Sequence, residues 1–361
     1  MNSGSRLKLF AMRTLLALTA LGAVASCGEP AGPAQFTGAT MGTTYHVTVT
    51  AADTPARQAG VQAAIDTVLG EVDRTFSTYR DDSELARLNL DPSSDWINVS
   101  RGLWQVLRLA HEVSEATGGA FDITVAPLLE LWDIGTARTR PVAVLTPPAP
   151  PQVEQALQAV GYGRLELRDA TTPVVRKTAP GMRLTVDGIA PGHAADGIAL
   201  ALDSLHYRDY IVEIGGEVRA RGERPGGGGW RIAVEAPRAL ARDPLVGLRL
   251  RDMAVSTSGD YRDVRVDAAG RTYSHTLDPR TGRPVDGALT SVTVLDPLAA
   301  RADAYATALM VMGTDAGLRW AVAHGVPALF VERRGDGKGW RLRASPAFAA
   351  WIEPGGLPDS L

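Results

Sequence analysis

Tyr273-Ser274-His275-Thr276-Leu277-Asp278-Pro279-Arg280-Thr281-Gly282-Arg283-Pro284 opens a run that continues through Thr290-Ser291-Val292-Thr293-Val294-Leu295 and closes on Leu298 to Gly313. Its Asp-Pro and Thr-Gly dipeptides force turns, so the first part is a polar loop. A strand follows over Thr290 to Leu295. Asp296 and Pro297 then read as cap and first-turn pair for a helix from Leu298 to Met312, with Gly313 as its stop. Within that helix Asp303 and Thr307 stand at i and i+4, which sets a carboxylate and a hydroxyl on one face, a single turn apart. This hard-oxygen edge suits Mg²⁺, which takes one or two protein side chains and completes its octahedron with waters and substrate phosphates. An Asp-x-x-x-Thr pair by itself also occurs on many solvent-facing helices. Here the neighbours Ala302, Ala304, Ala306, Ala308, Leu309 and Met310 are small and apolar. The helix is therefore expected to be buried, its carboxylate needs a partner, and a metal is one.

Working outward, 361 residues allow one large domain or two modest ones, and 45% apolar with 21% charged residues is the balance of a soluble fold. Residues 1–26 carry Arg6, Lys8 and Arg13, no acid, and the apolar run Leu15 to Val24. That is the pattern of an export signal, too short to span a bilayer and remain there. Val24-Ala25-Ser26-Cys27 resembles a bacterial lipobox, so the expected mature chain is anchored by lipidated Cys27 at the periplasmic face of the membrane. Cys27 is the sole cysteine, which excludes intramolecular disulfides and cysteine-based metal sites. Without residues 1–26 the net charge moves from −3 to −6. A mildly acidic chain argues against nucleic acid as a partner.

Residues 27–35 form a tether rich in Pro and Gly, residues 36–345 one domain of two lobes, and residues 346–361 a tail. Thr43 to Thr50 alternates as a strand after the tight Thr40-Met41-Gly42-Thr43 turn, and Val61, Ile65, Val68, Val72 and Phe76 repeat at helical spacing. A second helix runs from an N-cap at Ser100 to the stop Gly118-Gly119. Thr136 to Pro151, with its prolines, is the expected loop or insertion. A helix over Val153 to Val160 and strands at Leu165 to Leu167, Val174 to Arg176 and Arg183 to Val186 follow. Asp187 to Gly192 opens a helix, and Tyr210 to Ile214 is a strand closing on Gly215-Gly216-Glu217. Strands outnumber helices and connect partly as hairpins, which gives an α+β fold.

Five segments, in order, carry a family resemblance: Thr40 to Tyr45, Gly118 to Thr124, Gly188 to Asp196, Ser256 to Tyr261, and Ser274 to Pro284 with Asp303 and Thr307. With them the sequence, from about Gly38 to about Val331, resembles the ApbE-type FAD:protein FMN transferases. The resemblance implies a T-fold-like core and an enzyme that splits FAD in the presence of Mg²⁺. It implies that FMN is transferred through its phosphate to a threonine hydroxyl, that AMP leaves, and that acceptors carry a Ser/Thr-Gly-Ala-Thr type motif, commonly in redox-complex subunits.

Carried onto this chain, the family's flavin contacts fall on Met41, Tyr79, Ala120, Phe121, Asp122, Thr185, Leu277 and Ala306. Its metal ligands fall on Asp303, Thr307 and a main-chain carbonyl near Gly188. Two positions depart from the pattern: Thr185 stands where the family has an Asp upstream of the glycine, and Pro191 stands where it has Lys or another polar residue. Asp187 is the available substitute for the first.

Attack of a hydroxyl on a phosphoanhydride must overcome the diphosphate charge and align nucleophile with leaving group. Gly215-Gly216 and Ser258-Gly259 read as turns whose amides can face those oxygens. His275, near neutrality in pKa, is the natural acceptor of the hydroxyl proton, with Asp303 as a second choice. Two other functions use the same pocket: an FAD-binding lipoprotein and an FAD-hydrolysing one, in which water replaces the acceptor.

Overall fold

The main sheet takes its strands in the order in which the chain makes them: β1 (Ala34–Thr40), β2 (Thr43–Val49), β3 (Tyr210–Ile214), β4 (Glu217–Arg221), β5 (Met253–Gly259), β6 (Leu289–Asp296), β7 (Ala328–Arg333) and β8 (Trp340–Ala344). Every neighbouring pair is antiparallel. Strands that alternate in direction place every second connection at the same end of a sheet. That end collects the Met41-Gly42 tip, the Gly215-Gly216 turn and the long connection between β5 and β6. The computed structural model describes residues 32–135, 145–238, 243–260, 265–336 and 339–356. The expected export signal, Cys27, Tyr261 and most of the Thr136 to Pro151 loop lie outside them.

At the opposite end, helices fill the β2–β3 and β6–β7 connections and a hairpin fills β4–β5. α1 (Pro55–Phe76) starts on Thr54, whose hydroxyl accepts from the Arg57 amide, and buries Val61, Ile65, Val72 and Phe76. α2 (Arg101–Ala116) starts on Ser100, whose Oγ accepts from the Leu103 amide at 3.1 Å, as its Ser-x-x-Leu start leads one to expect. It ends at Gly118 and Gly119, both at positive φ, with the Gly119 amide returning to the Ser114 carbonyl. α3 (Ala190–Ser204) and α4 (Ala299–Ala323) are the other long helices, beside short ones at Glu84–Leu90, Ala126–Leu131 and Pro150–Leu157, the last where a helix over Val153 to Val160 is expected. Gly313 breaks α4 with φ 73° and ψ 171°. The expected stop is therefore real in the backbone, but a second helical segment begins at once and runs to Ala323. Arg183 to Val186, expected as a strand, joins no ladder; the Thr185 amide bonds the Ile123 carbonyl at 2.8 Å instead.

The α+β architecture stands. One face of the sheet packs Val292, Val294 and Phe330 against Ala302, Ala306, Leu309 and Met310 of α4. The other packs Val255, Leu295 and Val331 against a hairpin of Trp230–Glu235 and Pro244–Leu250. The domain is wider than expected at both ends. Its first strand begins at Ala34, and Pro346–Trp351, expected as tail, is a 3₁₀ turn whose Phe348 is fully buried in that second core.

α3 and α4 meet at Gly192. A Cβ there would sit 2.4 Å from the Ala299 carbonyl oxygen, so only glycine permits the approach. Gly192→Ala is expected to cost about 1–3 kcal/mol through overpacking. Gly60→Ala, on the exposed face of α1 with nothing within 4 Å, is expected to gain about 0.5–1 kcal/mol through helix propensity. Urea unfolding of both variants checks this; equal midpoints would mean that the α3–α4 approach is not tight.

Candidate active site

Asp303 is buried on the first half of α4, and its Oδ2 accepts from the Gly192 amide of α3 at 3.4 Å. Two contacts run the other way: Asp196 of α3 accepts from the Ala299 and Ala300 amides, each at 3.0 Å, and so caps α4. Asp296, expected as the cap, instead makes a turn ahead of the helix: its Oδ1 accepts from the Leu298 amide at 2.8 Å, and Leu298, the N-cap residue, has no side-chain cap bond of its own. One turn beyond Asp303, Thr307 Oγ1 lies 3.2 Å from Ser258 Oγ on β5. A Cβ on Gly188 would fall 3.1 Å from Thr307 Oγ1 and 3.3 Å from the Phe121 ring. Thr307, Gly188 and Phe121, taken from three separate segments, therefore converge.

The electrostatics of this corner are unfavourable to the protein alone. Burial, then the neighbouring Glu217 charge, holds Asp303 well above the usual carboxylate range; Asp187 adds to the shift and the Gly192 amide opposes it. Glu217 on β4 is half-buried, accepts from Ser256 Oγ at 3.3 Å, and is pushed up by burial to about 7. No Lys or Arg pairs with Asp303 among the described residues. Nor do three His, Cys, Asp or Glu cluster there as a metal cage. What exists is a carboxylate beside a hydroxyl, with a second carboxylate close by. That donor set of hard oxygens fits Mg²⁺, which needs no all-protein cage.

The Gly118 to Thr124 segment is held from within. Asp122 Oδ1 accepts from the Thr124 amide and hydroxyl, and Oδ2 from the Tyr162 amide at 2.7 Å. Its carboxylate thus fixes the loop, while burial raises its pKa. Ala120 and Phe121 are buried in the main core. Met41 sits at φ 46° beside Gly42 at φ 71° in the two-residue tip of the β1–β2 hairpin, a turn that demands positive φ at both positions. Tyr79 is 61% exposed. Thr185 and Asp187 line one cavity of about 200 Å³ with Thr78, Leu129 and Leu184. Asp187 opens a turn, its amide donating to Thr185 Oγ1 at 3.3 Å, which keeps the two residues at one cavity. Pro191 occupies the first turn of α3, where its missing amide costs no hydrogen bond.

His275 is carried on a loop clamped from below. The Trp132 indole donates to the Gly282 carbonyl at 2.8 Å, and Gly282, at φ 70°, presses against Val153 and Leu128. Short pairing of Leu277 with Pro284 and Asp278 with Arg283 closes the loop. His275 Nδ1 is buried with no hydrogen-bond partner. Burial raises the Asp260 carboxyl above its usual range. Leu277 and Ala306 are both buried in cores, beneath the loop and beneath α4.

Two expectations fail. The Gly215 amide already bonds the Thr44 carbonyl and the Gly216 amide bonds Glu213, so neither is available to a phosphate. Ser258-Gly259 is strand, paired with Val292 and Ser291, not a turn. Asp196 and Glu217 were missed. The available signal for Glu217 was β4 itself, where Glu217, Arg219 and Arg221 alternate with Val218 and Ala220, a charged face turned toward α3.

The ApbE family model matches residues 41–330. The FAD:protein FMN transferase of Vibrio cholerae serotype O1 is 38% identical over 338 residues, covering 94% of this chain and 98% of that protein. Among solved structures, the flavin transferase ApbE from Vibrio cholerae superposes with a TM-score of 0.78 at 36% identity, over 89% of this chain and 100% of that one. The apo flavinyl transferase ApbE of Pseudomonas stutzeri gives 0.77 at 36% identity, over 88% and 96%. Family match, identity along nearly the whole length and agreement in fold coincide, and the chain belongs to the ApbE family.

Proposed function

We propose that this chain is an FAD:protein FMN transferase that uses Mg²⁺, joins FMN through its phosphate to a threonine of an acceptor protein, and releases AMP. The observation that carries it is the convergence of Asp303, Thr307, Gly188 and Phe121: a buried, unpaired carboxylate and a hydroxyl beside an aromatic loop. The shared name of the relatives supports the transfer chemistry. Asp303, Thr307 and the Gly188 carbonyl would hold the ion, which supplies charge withdrawal from the diphosphate oxygens. Tyr79, exposed, offers a face for ring stacking, and Thr185 lines a cavity that reaches the neighbouring Thr78.

In the reaction the threonine Oγ bonds to the FMN phosphorus as the bond from that phosphorus to the bridging oxygen breaks. AMP departs with the bridging oxygen, and the hydroxyl proton goes to His275. A buried ring nitrogen with no partner supports that role, because nothing in the protein competes for it. We also propose that the chain is exported and held at the periplasmic face of the membrane through lipidated Cys27. Among the described residues no helix is long and apolar enough to cross a membrane, and the lipobox pattern supports the anchor.

His275→Ala is expected to keep FAD binding and to lose about 100-fold or more in transfer, whereas Asp303→Asn loses the Mg²⁺ requirement together with the activity. Covalent flavin fluorescence on an acceptor domain and AMP release read both; AMP without fluorescence would make the chain a hydrolase. Glu217 binds protons more tightly folded than unfolded, so its contribution to stability falls as pH rises from about 4.5 to about 7. The thermal midpoint in chelator, wild type minus Glu217→Gln, is expected to decline over that window, and a flat difference would refute the shift. Cys27→Ala is expected to move the chain from the membrane pellet to the soluble fraction.

A further inference from the structure

A groove of about 510 Å³ runs between α2 and the strand Leu165–Arg168. That strand is an edge: it pairs with Val174–Lys177 on one side and with nothing on the other among the described residues. All four of its residues line the groove in succession, which the side chains of one face cannot do, so the backbone edge itself is presented. Across from it stand Trp104, Arg108 and His111, spaced along one face of α2. Trp104 is 8% exposed, and its buried indole nitrogen has no hydrogen-bond partner.

Charge gives the groove a sign. Trp96 closes one end, with Arg168 at 4.3 Å and Arg176 at 4.8 Å over its ring. Arg176 is neutralised by Glu166 and Arg108 by Glu112. Arg168 is exposed and has no carboxylate partner among the described residues. The other end adjoins the Phe121 loop through Tyr162, whose amide bonds Asp122, whose ring meets His111 edge-on at 5.5 Å, and which would lie 3.4 Å from a Cβ on Gly119.

We propose that an extended segment of the acceptor polypeptide docks in this groove, adding a strand beside Leu165–Arg168 and setting an acidic side chain on Arg168. Strand addition supplies affinity through the main chain, and the tryptophans and Arg168 supply selectivity. The proposal rests on the transferase reading, since it takes the occupant to be the protein that receives FMN.

The test uses the full chain in detergent with FAD, Mg²⁺ and a fluorescein-labelled synthetic peptide carrying Thr-Gly-Ala-Thr with aspartates upstream. Arg168→Glu and Trp96→Ala, both checked for folding by circular dichroism, are expected to raise KM for the peptide about tenfold or more. FAD affinity and kcat stay unchanged. An unmoved KM in both variants overturns the proposal. Peptide anisotropy separates the two readings. If wild type binds the peptide but transfers no FMN, and Arg168→Glu abolishes binding, the groove stands and the transferase reading falls; no binding by wild type overturns the groove. Arg168→Glu that releases the chain from anionic vesicles, or dissociates a dimer, with peptide KM unmoved would identify another occupant and overturn it as well.

Discussion

The structure depends on a reciprocal exchange between α3 and α4. Each helix offers an acid to the amides at the start of the other: Asp196 to Ala299 and Ala300, and Asp303 to Gly192. Helix starts leave amides without internal partners, and here two starts answer each other's need across a contact that only Gly192 allows. The arrangement fixes both the distance and the rotation of α4. Thr307 is thereby delivered to Gly188 and Phe121 without further machinery.

The same exchange leaves Asp303 in a difficult place. One long hydrogen bond, deep burial and the nearby Glu217 charge make its ionised form costly to the protein alone. Structural carboxylates in this fold are treated differently: Asp122 and Asp267 accept three or more hydrogen bonds each. The contrast separates acids that build the scaffold from an acid kept short of partners, and local rules are commonly broken at functional positions.

The fold was largely legible. Alternation at Tyr45, Val47 and Val49, the spacing of Leu103, Leu107, Ala110 and Val113, and the Ser100 and Gly118-Gly119 punctuation all reported local structure, which sequence patterns encode directly. The Asp303–Thr307 pair was legible for the same reason, because one helical turn is a local relation. Arg183 to Val186 misled because an apolar alternation says nothing about whether a neighbouring strand is present to pair with. Gly215-Gly216 misled because a turn's amides can be consumed from outside, here by Thr44 and Glu213. The capping of α4 by Asp196 spans more than a hundred positions and leaves no periodic trace. Phe348 was hidden for a similar reason: its burial depends on a hairpin that lies far back in the chain.

The order of the α3–α4 exchange along the chain has a further consequence. A polypeptide emerging N-terminus first displays Gly188, Phe121 and Asp196 well before Ala299 to Thr307 exist to meet them. Until then the nascent molecule has neither the cap on α4 nor the Asp303–Thr307 oxygen pair. The meeting of the two helices therefore belongs to the last part of the chain, and a product ending before Ala299 lacks both α4 partners of the exchange.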